Sequence, residues 1–555
     1  MNESHASSTY LARLEPSGAR VATGAGLDAD VAIVGGGPVG TLLAILLGKR
    51  GKKVALVERW KEAYARPRAV TYDHEIARVL ATLGIDSEND PAISYHDELY
   101  HWRNAAGEDI QIVDWRSTSA SGWRVRYWFN QPDLERRLMR IAESLPSVTH
   151  VRGWEAIALE EDAGGVTLGL RENGTERDGP CLRVRSKYLV GADGANSFVR
   201  RALGIENEDK GYFFDWLILD MIPHGHYEVT PAQWQLCDPE RPTTIVPGGP
   251  GRRRWEFMVL PGEDPKELTK PENAWKLLEP WGLTPANATL ERDAVYRFQA
   301  RWAKTWRKGR CTIAGDAAHL MPPFAGEGMC AGVRDAVALG WRLNGILEGK
   351  LGDDVLDSYT TERVEHAKHY IEFSQELGKI ICICDPEAAA ERDRRMKAEL
   401  AARGYKPLPT DVCQLGPGIW CDETAHAGEL SVQGVVEANG RRDRFDQAVG
   451  QGWMVIGLES DPTEALSDEQ LETLRFLEGR AVTLGAPGTA CDAVDVEGTY
   501  AKWLHDIDAR YVVLRPDFYV AATAKSPEGL RHRFDEVTAR LHLTKPARVA
   551  PAAAA

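Results

Sequence analysis

The sequence predicts an α/β fold with a parallel sheet at its centre and more than one domain. Three observations carry this. A strand, a glycine turn, a helix and a second strand open the folded part between Asp30 and Glu58. Two later apolar runs, from Tyr188 and from Cys311, also end in glycine-containing turns. A length of 555 residues exceeds what one hydrophobic core organises.

In chain order, Val31–Val34 reads as a buried strand, Thr41–Leu47 as a helix and Val54–Glu58 as the next strand, which opens a βαβ unit. Between the second and third glycine turns lie short β-like runs at Trp216–Met221, Trp234–Cys237, Thr243–Val246 and Trp255–Leu260, parted by Pro and Gly. They predict an inserted sheet over 206–299. Apolar spacings of three and four then predict helices at Gly332–Leu347 and Leu356–Glu376, and a charged helix follows at Glu387–Arg403. The Pro and Gly density of Lys406–Gly418 marks a boundary. Beyond it, strands at Trp453–Leu458, Tyr511–Leu514 and Tyr519–Ala522 mix with helices, the last being Pro527–Leu541. The expected division is an arm (1–28), a discontinuous nucleotide-binding domain (29–205 and 300–405), the inserted sheet (206–299), a C-terminal domain (406–545) and a fraying tail (546–555).

Composition narrows the class. Apolar residues at 43% and charged residues at 27% suit a globular chain, and a net charge of −15 argues against nucleic acid as a partner. No apolar run reaches a bilayer span, so no membrane partner is expected. Met1–Asp30 has no basic stretch followed by an apolar one, and nine cysteines without paired CxxC motifs make neither a disulfide framework nor a zinc site. No metal and a cytoplasmic location are the expectations.

The chemistry sits at the glycine turns. Gly35-Gly36-Gly37-Pro38-Val39-Gly40 is G-x-G-x-x-G between strand and helix. Gly35 permits the turn, Gly37 lets the backbone approach a pyrophosphate, and Gly40 allows close helix packing. The helix N-terminus offers free N–H groups and partial positive charge. Glu58, about 20 residues on, is placed to accept from a ribose hydroxyl, with Arg59 beside it. FAD and NAD present the same ADP half to such a turn, so the motif alone leaves the two open. Asp193 and Gly315-Asp316 each bring a carboxylate to a strand end. Asp316 could bond a ribityl chain while Pro322–Met329 lies along a flavin ring and enters a helix whose N-terminus stabilises reduced-flavin charge.

These segments resemble the class A FAD-dependent aromatic hydroxylases, single-component flavoprotein monooxygenases, of the 3-(3-hydroxyphenyl)propionate hydroxylase type. The matching stretches are Val-Gly-Gly-Gly-Pro-Val-Gly at 34–40, Gly-Ala-Asp-Gly-Ala-Asn-Ser-Phe-Val-Arg at 191–200 and Ala-Gly-Asp-Ala-Ala-His-Leu-Met-Pro-Pro-Phe-Ala-Gly at 314–326. Softer matches lie at 66–69, 130–135, 253–258 and 515–519. The resemblance implies a GR2-type FAD-binding Rossmann-like domain, an inserted β-sheet substrate domain and a thioredoxin-like C-terminal domain, here without CxxC. It further implies a homodimer, NADH or NADPH as co-substrate, and hydroxylation of a phenol or catechol by O2 through a flavin C4a-hydroperoxide. Arg68, Gln131, Asp193, Gly326, Gly328 and Met329 should join the FAD-binding set, and Pro323 should lie near the reactive flavin edge.

Two residues depart from the family pattern: Glu327 and Cys330 stand where Gln and Asn are usual. A carboxylate at the flavin's pyrimidine edge opposes anionic reduced flavin, so Glu327 is expected either to face solvent or to slow reduction. His226, Tyr227, Gln235 and Pro323 are the substrate-pocket candidates. Arg252-Arg253-Arg254 reads as a solvated turn in preference to a carboxylate clamp. Rival readings are a non-oxygenating flavin dehydrogenase or oxidase, a regulatory flavoprotein without turnover, and an NAD-dependent dehydrogenase that leaves the second and third turns without a role.

Overall fold

Val31–Val34 is apolar throughout because both faces of its strand are covered, and all four residues are buried. In the computed structural model, which describes residues 26–62, 66–175, 181–409 and 413–544, this strand is the middle of a parallel sheet. Residues 1–25 of the expected arm and the expected tail lie outside the described residues. The strand, β1 (Gly26–Val34), begins five residues earlier than the apolar run, since Gly26–Ala29 pair with Arg183–Ser186 at the sheet's end. The helix α1 (Pro38–Gly48) follows, with proline at its first position, where no N–H is needed. Then comes β2 (Val54–Glu58).

β1 lies between β2 and Cys181–Gly191, and Val148–Arg152 and Cys311–Ile313 extend the sheet on either side, all parallel. Parallel order brings the C-terminal ends of β1, Cys181–Gly191 and Cys311–Ile313 side by side, where ligands of open α/β sheets bind. Backbone bonds tie these ends together: Gly35 N–H donates to the Val57 carbonyl (2.8 Å), Ala192 N–H to Val34 (2.7 Å) and Ala314 N–H to Gly191 (2.9 Å). Above them α1 packs on α2 (Gly328–Leu347). A Cβ on Gly332 would lie 2.6 Å from Val39, which explains glycine at that contact.

The second sheet has eight strands, in the order His319–Leu320, Ala288–Ala303, Asn207–Pro223, Arg253–Met258, Thr243–Pro247, Trp234–Cys237, Tyr100–Asn104 and Asp109–Val113. It therefore recruits strands from outside 206–299. One face packs on Pro271–Leu278 through Leu217, Leu219, Ile245, Trp255 and Phe257. The other carries Trp216, Ile218 and Phe298 and packs in part on Ile381 and Met396. Helices Asp357–Ile381 and Pro386–Ala402 complete this part.

The C-terminal part is a seven-stranded sheet in which Met454–Leu458, Arg480–Gly485 and Ala493–Asp495 run parallel and antiparallel strands flank them. One face has its own core around Ile456, Leu484 and Val512, and the other merges through Val455, Val513 and Phe534 with the core of the first sheet. Buried ion pairs fasten it: Arg78 to Asp446 (2.7 Å) and Arg515 to Glu362 (2.7 Å). No described helix is long and apolar enough to cross a membrane.

Candidate active site

A cavity of about 400 Å³ runs from the strand-end turns to the face of the second sheet opposite Pro271–Leu278. That size suits a small-molecule site. Gly37, Pro38 and Val39 line one end, Arg68 and Gln131 one side, and Gly315, Asp316, Pro323, Gly326, Gly328 and Met329 another. Eleven predicted cofactor residues thus border one space. Gly35 and Gly40 lie behind it and make the turn possible: Gly35 has φ +110°, and a Cβ on Gly40 would lie 2.0 Å from the Gly35 carbonyl. Nothing lies within 4 Å of where a Cβ on Gly37 would stand, so an open cradle fronts the start of α1.

Glu58 accepts hydrogen bonds from Gly36 N–H (2.8 Å) and Trp60 N–H (2.9 Å), which fixes its carboxylate at the turn. Arg59 is exposed beside Trp60. Gln131 accepts from Ala69 N–H (2.6 Å), and the Arg68 carbonyl accepts from Arg254 (2.6 Å), so the 66–69 loop is held from both sides. Asp193 turns its carboxylate to Ser197 and to Val199 N–H (3.0 Å), and burial raises its pKa. The Gly315 turn hangs on a residue the sequence reading passed over: Asp335, inside α2, accepts from Gly315 N–H (2.9 Å), His319 (2.8 Å) and Arg363 (2.9 Å).

The far end is aromatic. Tyr100 stacks on Trp115 with centroids 4.1 Å apart, and Phe298 meets Phe324 edge to face at 5.5 Å. Trp128 and Tyr296 also face the space. Such walls suit a flat ring. Gln235 lines this end and accepts from the Thr244 hydroxyl (2.6 Å). The other two pocket candidates do not line it. His226 is 84% exposed and pairs with Glu228, while Tyr227 donates to the Trp281 carbonyl and packs beside Trp255 on the opposite face of the sheet. The solvated arginine turn is also corrected. Arg253 and Arg254 are buried within a strand, and Arg254 faces Asp220 across the ladder, bonding both its oxygens at 2.7 and 3.0 Å.

Residues 28–374 match the family described as FAD binding domain, and residues 428–540 match the HcaD C-terminal domain. The chain belongs to the FAD-dependent aromatic hydroxylases. It is 33% identical to a probable NADH-specific resorcinol 4-hydroxylase of Rhodococcus jostii (strain RHA1), over 93% of this chain and 96% of that one. It is 32% identical to a 3-(3-hydroxy-phenyl)propionate/3-hydroxycinnamic acid hydroxylase of Paraburkholderia xenovorans (strain LB400), over 94% and 92%. The flavin-dependent monooxygenase PieE, solved with FAD and substrate, shares its fold at a TM-score of 0.78, with 21% identity and coverage of 93% of this chain and 99% of that one. FAD is the cofactor of this hydroxylase, and the open cradle at Gly37 suits its pyrophosphate.

Beneath the loop that borders the cavity, the hydroxylase carries a buried charge cluster. Glu327 does not face solvent: it accepts from Arg126 (3.2 Å) and Arg334 (3.1 Å). Burial and the neighbouring Asp73 carboxylate push it up to about 7, whereas Arg334 holds Asp73 below the usual carboxylate range despite its burial. Cys330 is buried nearby, and burial raises its thiol. Asp73, Glu327 and Cys330 lie close enough to suggest metal ligands, but the Arg334 guanidinium already bonds both carboxylates.

Glu327→Gln should fold and retain FAD with an altered pH dependence. A carboxyl raised in the folded state contributes stability that is complete below its unfolded pKa, near 4.5, and lost as pH rises through about 7. Urea unfolding of the wild type should therefore weaken between pH 5 and 8 by a component of about 2–3 kcal/mol that the variant lacks. Equal pH slopes in the two proteins would show that Glu327 is not held neutral.

Proposed function

We propose that this hydroxylase inserts one oxygen atom from O2 into a small phenolic ring, with NADH as the favoured reductant. The single observation that carries the reading is that the glycine-turn cradle and the aromatic-walled end open into one cavity. The two relatives named above, one described as acting on resorcinol and the other on hydroxyphenyl acids, support a ring of that size.

Gly37 and the N-terminus of α1 would hold the FAD pyrophosphate, Glu58 the adenosine ribose and Asp316 the ribityl chain. Bound FAD supplies electron transfer from NADH to O2 and the electrophilic oxygen. The chain itself contributes orientation and dryness. Tyr100, Trp115 and Phe298 would wall and shield the ring, Pro323 would close the space where ring and flavin meet, and the α2 N-terminus would place positive potential at that edge. We also read the C-terminal sheet as thioredoxin-like, on its parallel strands flanked by antiparallel ones, and the protein as a cytoplasmic homodimer, on its cysteines standing outside disulfides among the described residues and on the family pattern.

The test is oxidation of NADH and NADPH by FAD-loaded protein against a panel of phenols and catechols, with product masses read in labelled oxygen. Stimulated oxidation with one labelled atom in the ring supports hydroxylation. Oxidation that yields only hydrogen peroxide across the panel favours the non-oxygenating rival.

A further inference from the structure

We propose that Glu256 is the catalytic residue that accepts the proton of the substrate's ring hydroxyl. The inference rests on the aromatic monooxygenase reading and deepens it by naming the group that activates the ring.

Glu256 stands on the cavity face of the second sheet. Ladder pairing sets Gln235 opposite Thr244 and Thr244 opposite Glu256, so three polar side chains form one row across adjacent strands. All three line the cavity. Two of them are already committed to each other: the Thr244 hydroxyl donates to Gln235 at 2.6 Å, and the Gln235 amide donates to the Thr243 carbonyl at 3.0 Å. Glu256 has no such bond within the row. Its described ion partner is Arg254 at 3.6 Å, beyond a good hydrogen bond, while Arg254 spends its close contacts on Asp220 and the Arg68 carbonyl. The carboxylate therefore presents accepting oxygens to a cavity whose nearby walls are Tyr100, Tyr296 and Phe298.

That is what a phenol needs. Electrophilic oxygen attacks a ring activated by electron release from its hydroxyl, and release grows as the O–H bond yields its proton. The step is ArOH + Glu–COO⁻ → ArO⁻ + Glu–COOH, with charge unchanged. After oxygen insertion the ring C–H proton leaves to solvent, and the oxygen of the product regains its proton from Glu256, so the residue ends as it began. Burial raises the Glu256 carboxyl and brings it nearer in proton affinity to a phenol. Arg254 and Arg292 oppose that rise, Asp220 adds to it, and Tyr100, whose own hydroxyl is raised by burial, lies close enough to feel the Glu256 charge. A ring enters hydroxyl first at this end.

The experiment compares wild type with Glu256→Gln on resorcinol, on 3-(3-hydroxyphenyl)propionate and on ring-fluorinated derivatives of each with progressively more acidic hydroxyls. FAD content and thermal midpoint serve as controls. Glutamine still accepts a hydrogen bond but takes no proton. Ring dissociation constants should therefore stay within a few-fold, product formation should fall about hundredfold on the least acidic rings, and hydrogen peroxide should replace product. The loss should shrink steadily as the hydroxyl becomes acidic enough to ionise without help, and the acid limb of the wild-type pH profile should vanish in the variant. A loss that is equal across the fluorinated series, or no loss, overturns the inference alone. Wild-type protein that labels neither ring overturns the reading beneath it, and the inference with it.

Discussion

Arg334→Met should destabilise the protein by about 3–5 kcal/mol and strip it of FAD, because it leaves buried carboxylates without their shared counter-charge. Arg334 bonds Asp73, Glu75 (2.6 Å) and Glu327 (3.1 Å), and its side chain is 4% exposed. The carboxylates come from two segments, Asp73 and Glu75 from one helix start and Glu327 from the loop before α2. Asp73 caps the helix His74–Ala81, Glu75 accepts from Tyr519 of the C-terminal sheet (3.0 Å), and Glu327 ends the loop that borders the cavity. One guanidinium therefore joins the helix cap to the proposed flavin loop directly, and to the C-terminal part through Glu75. Methionine fills similar volume, so the loss is electrostatic and not a cavity. The sign with pH follows. Without Arg334 the folded-state pKa of Asp73, now held low, rises above its unfolded value, and the variant sheds stability as pH increases through that range. The deficit measured by urea unfolding should be larger at pH 8 than at pH 5.5, and Glu327→Gln in the same background should recover part of it. A pH-independent deficit would mean that the cluster acts by packing alone.

Local motifs were legible in the sequence because their geometry is local. The turn at 35–40, the carboxylate at Glu58 and the strand ends carrying Asp193 and Asp316 are each fixed by neighbours within a few residues, and the structure gathers their turns at adjacent strand ends. The substrate end was legible only in part, for a physical reason. Gln235 and Tyr227 lie eight positions apart in chain (235 and 227), yet Gln235 is on a strand facing the cavity while Tyr227, in the loop before that strand, folds against Trp255 on the opposite face, and which face meets the cavity depends on the whole domain's packing. The alternation in Arg253-Arg254-Trp255-Glu256-Phe257 did carry a signal: even positions are polar and odd ones mostly apolar, as a half-buried strand requires. Taking the arginines for a turn hid it. Tyr100 and Trp115 left no local trace, since Tyr100–Asn104 joins the sheet by pairing in parallel with Trp234–Cys237 far along the chain. The solvent-facing alternative for Glu327 fails because Asp73 and Arg126 come from distant segments, although Arg334, two helical turns on along α2, was within reach of spacing arguments.

The glycine turn offers a way to separate what the fold requires from what the cofactor requires. Gly35→Ala should damage both. At φ +110° an alanine is strained by about 1–3 kcal/mol, and its Cβ would stand 2.2 Å from the Ala192 carbonyl, so β1 and Cys181–Gly191 must part where they are stapled. The protein should melt lower without FAD and bind FAD poorly. Gly37→Ala should spare the fold. Its backbone is extended (φ −72°, ψ −176°), which alanine adopts freely, and its Cβ meets nothing within 4 Å. The methyl group would occupy the space in front of the α1 N-terminus, so a pyrophosphate there would lose a charge-assisted bond worth about 1.5–3 kcal/mol, about 10- to 150-fold in FAD affinity. Calorimetric titration of FAD together with melting of the apoprotein would read the two effects separately. If Gly37→Ala bound FAD as tightly as wild type, the pyrophosphate would have to lie away from this turn, and Glu58, held to Gly36 beside it, would lose its place at the ribose as well.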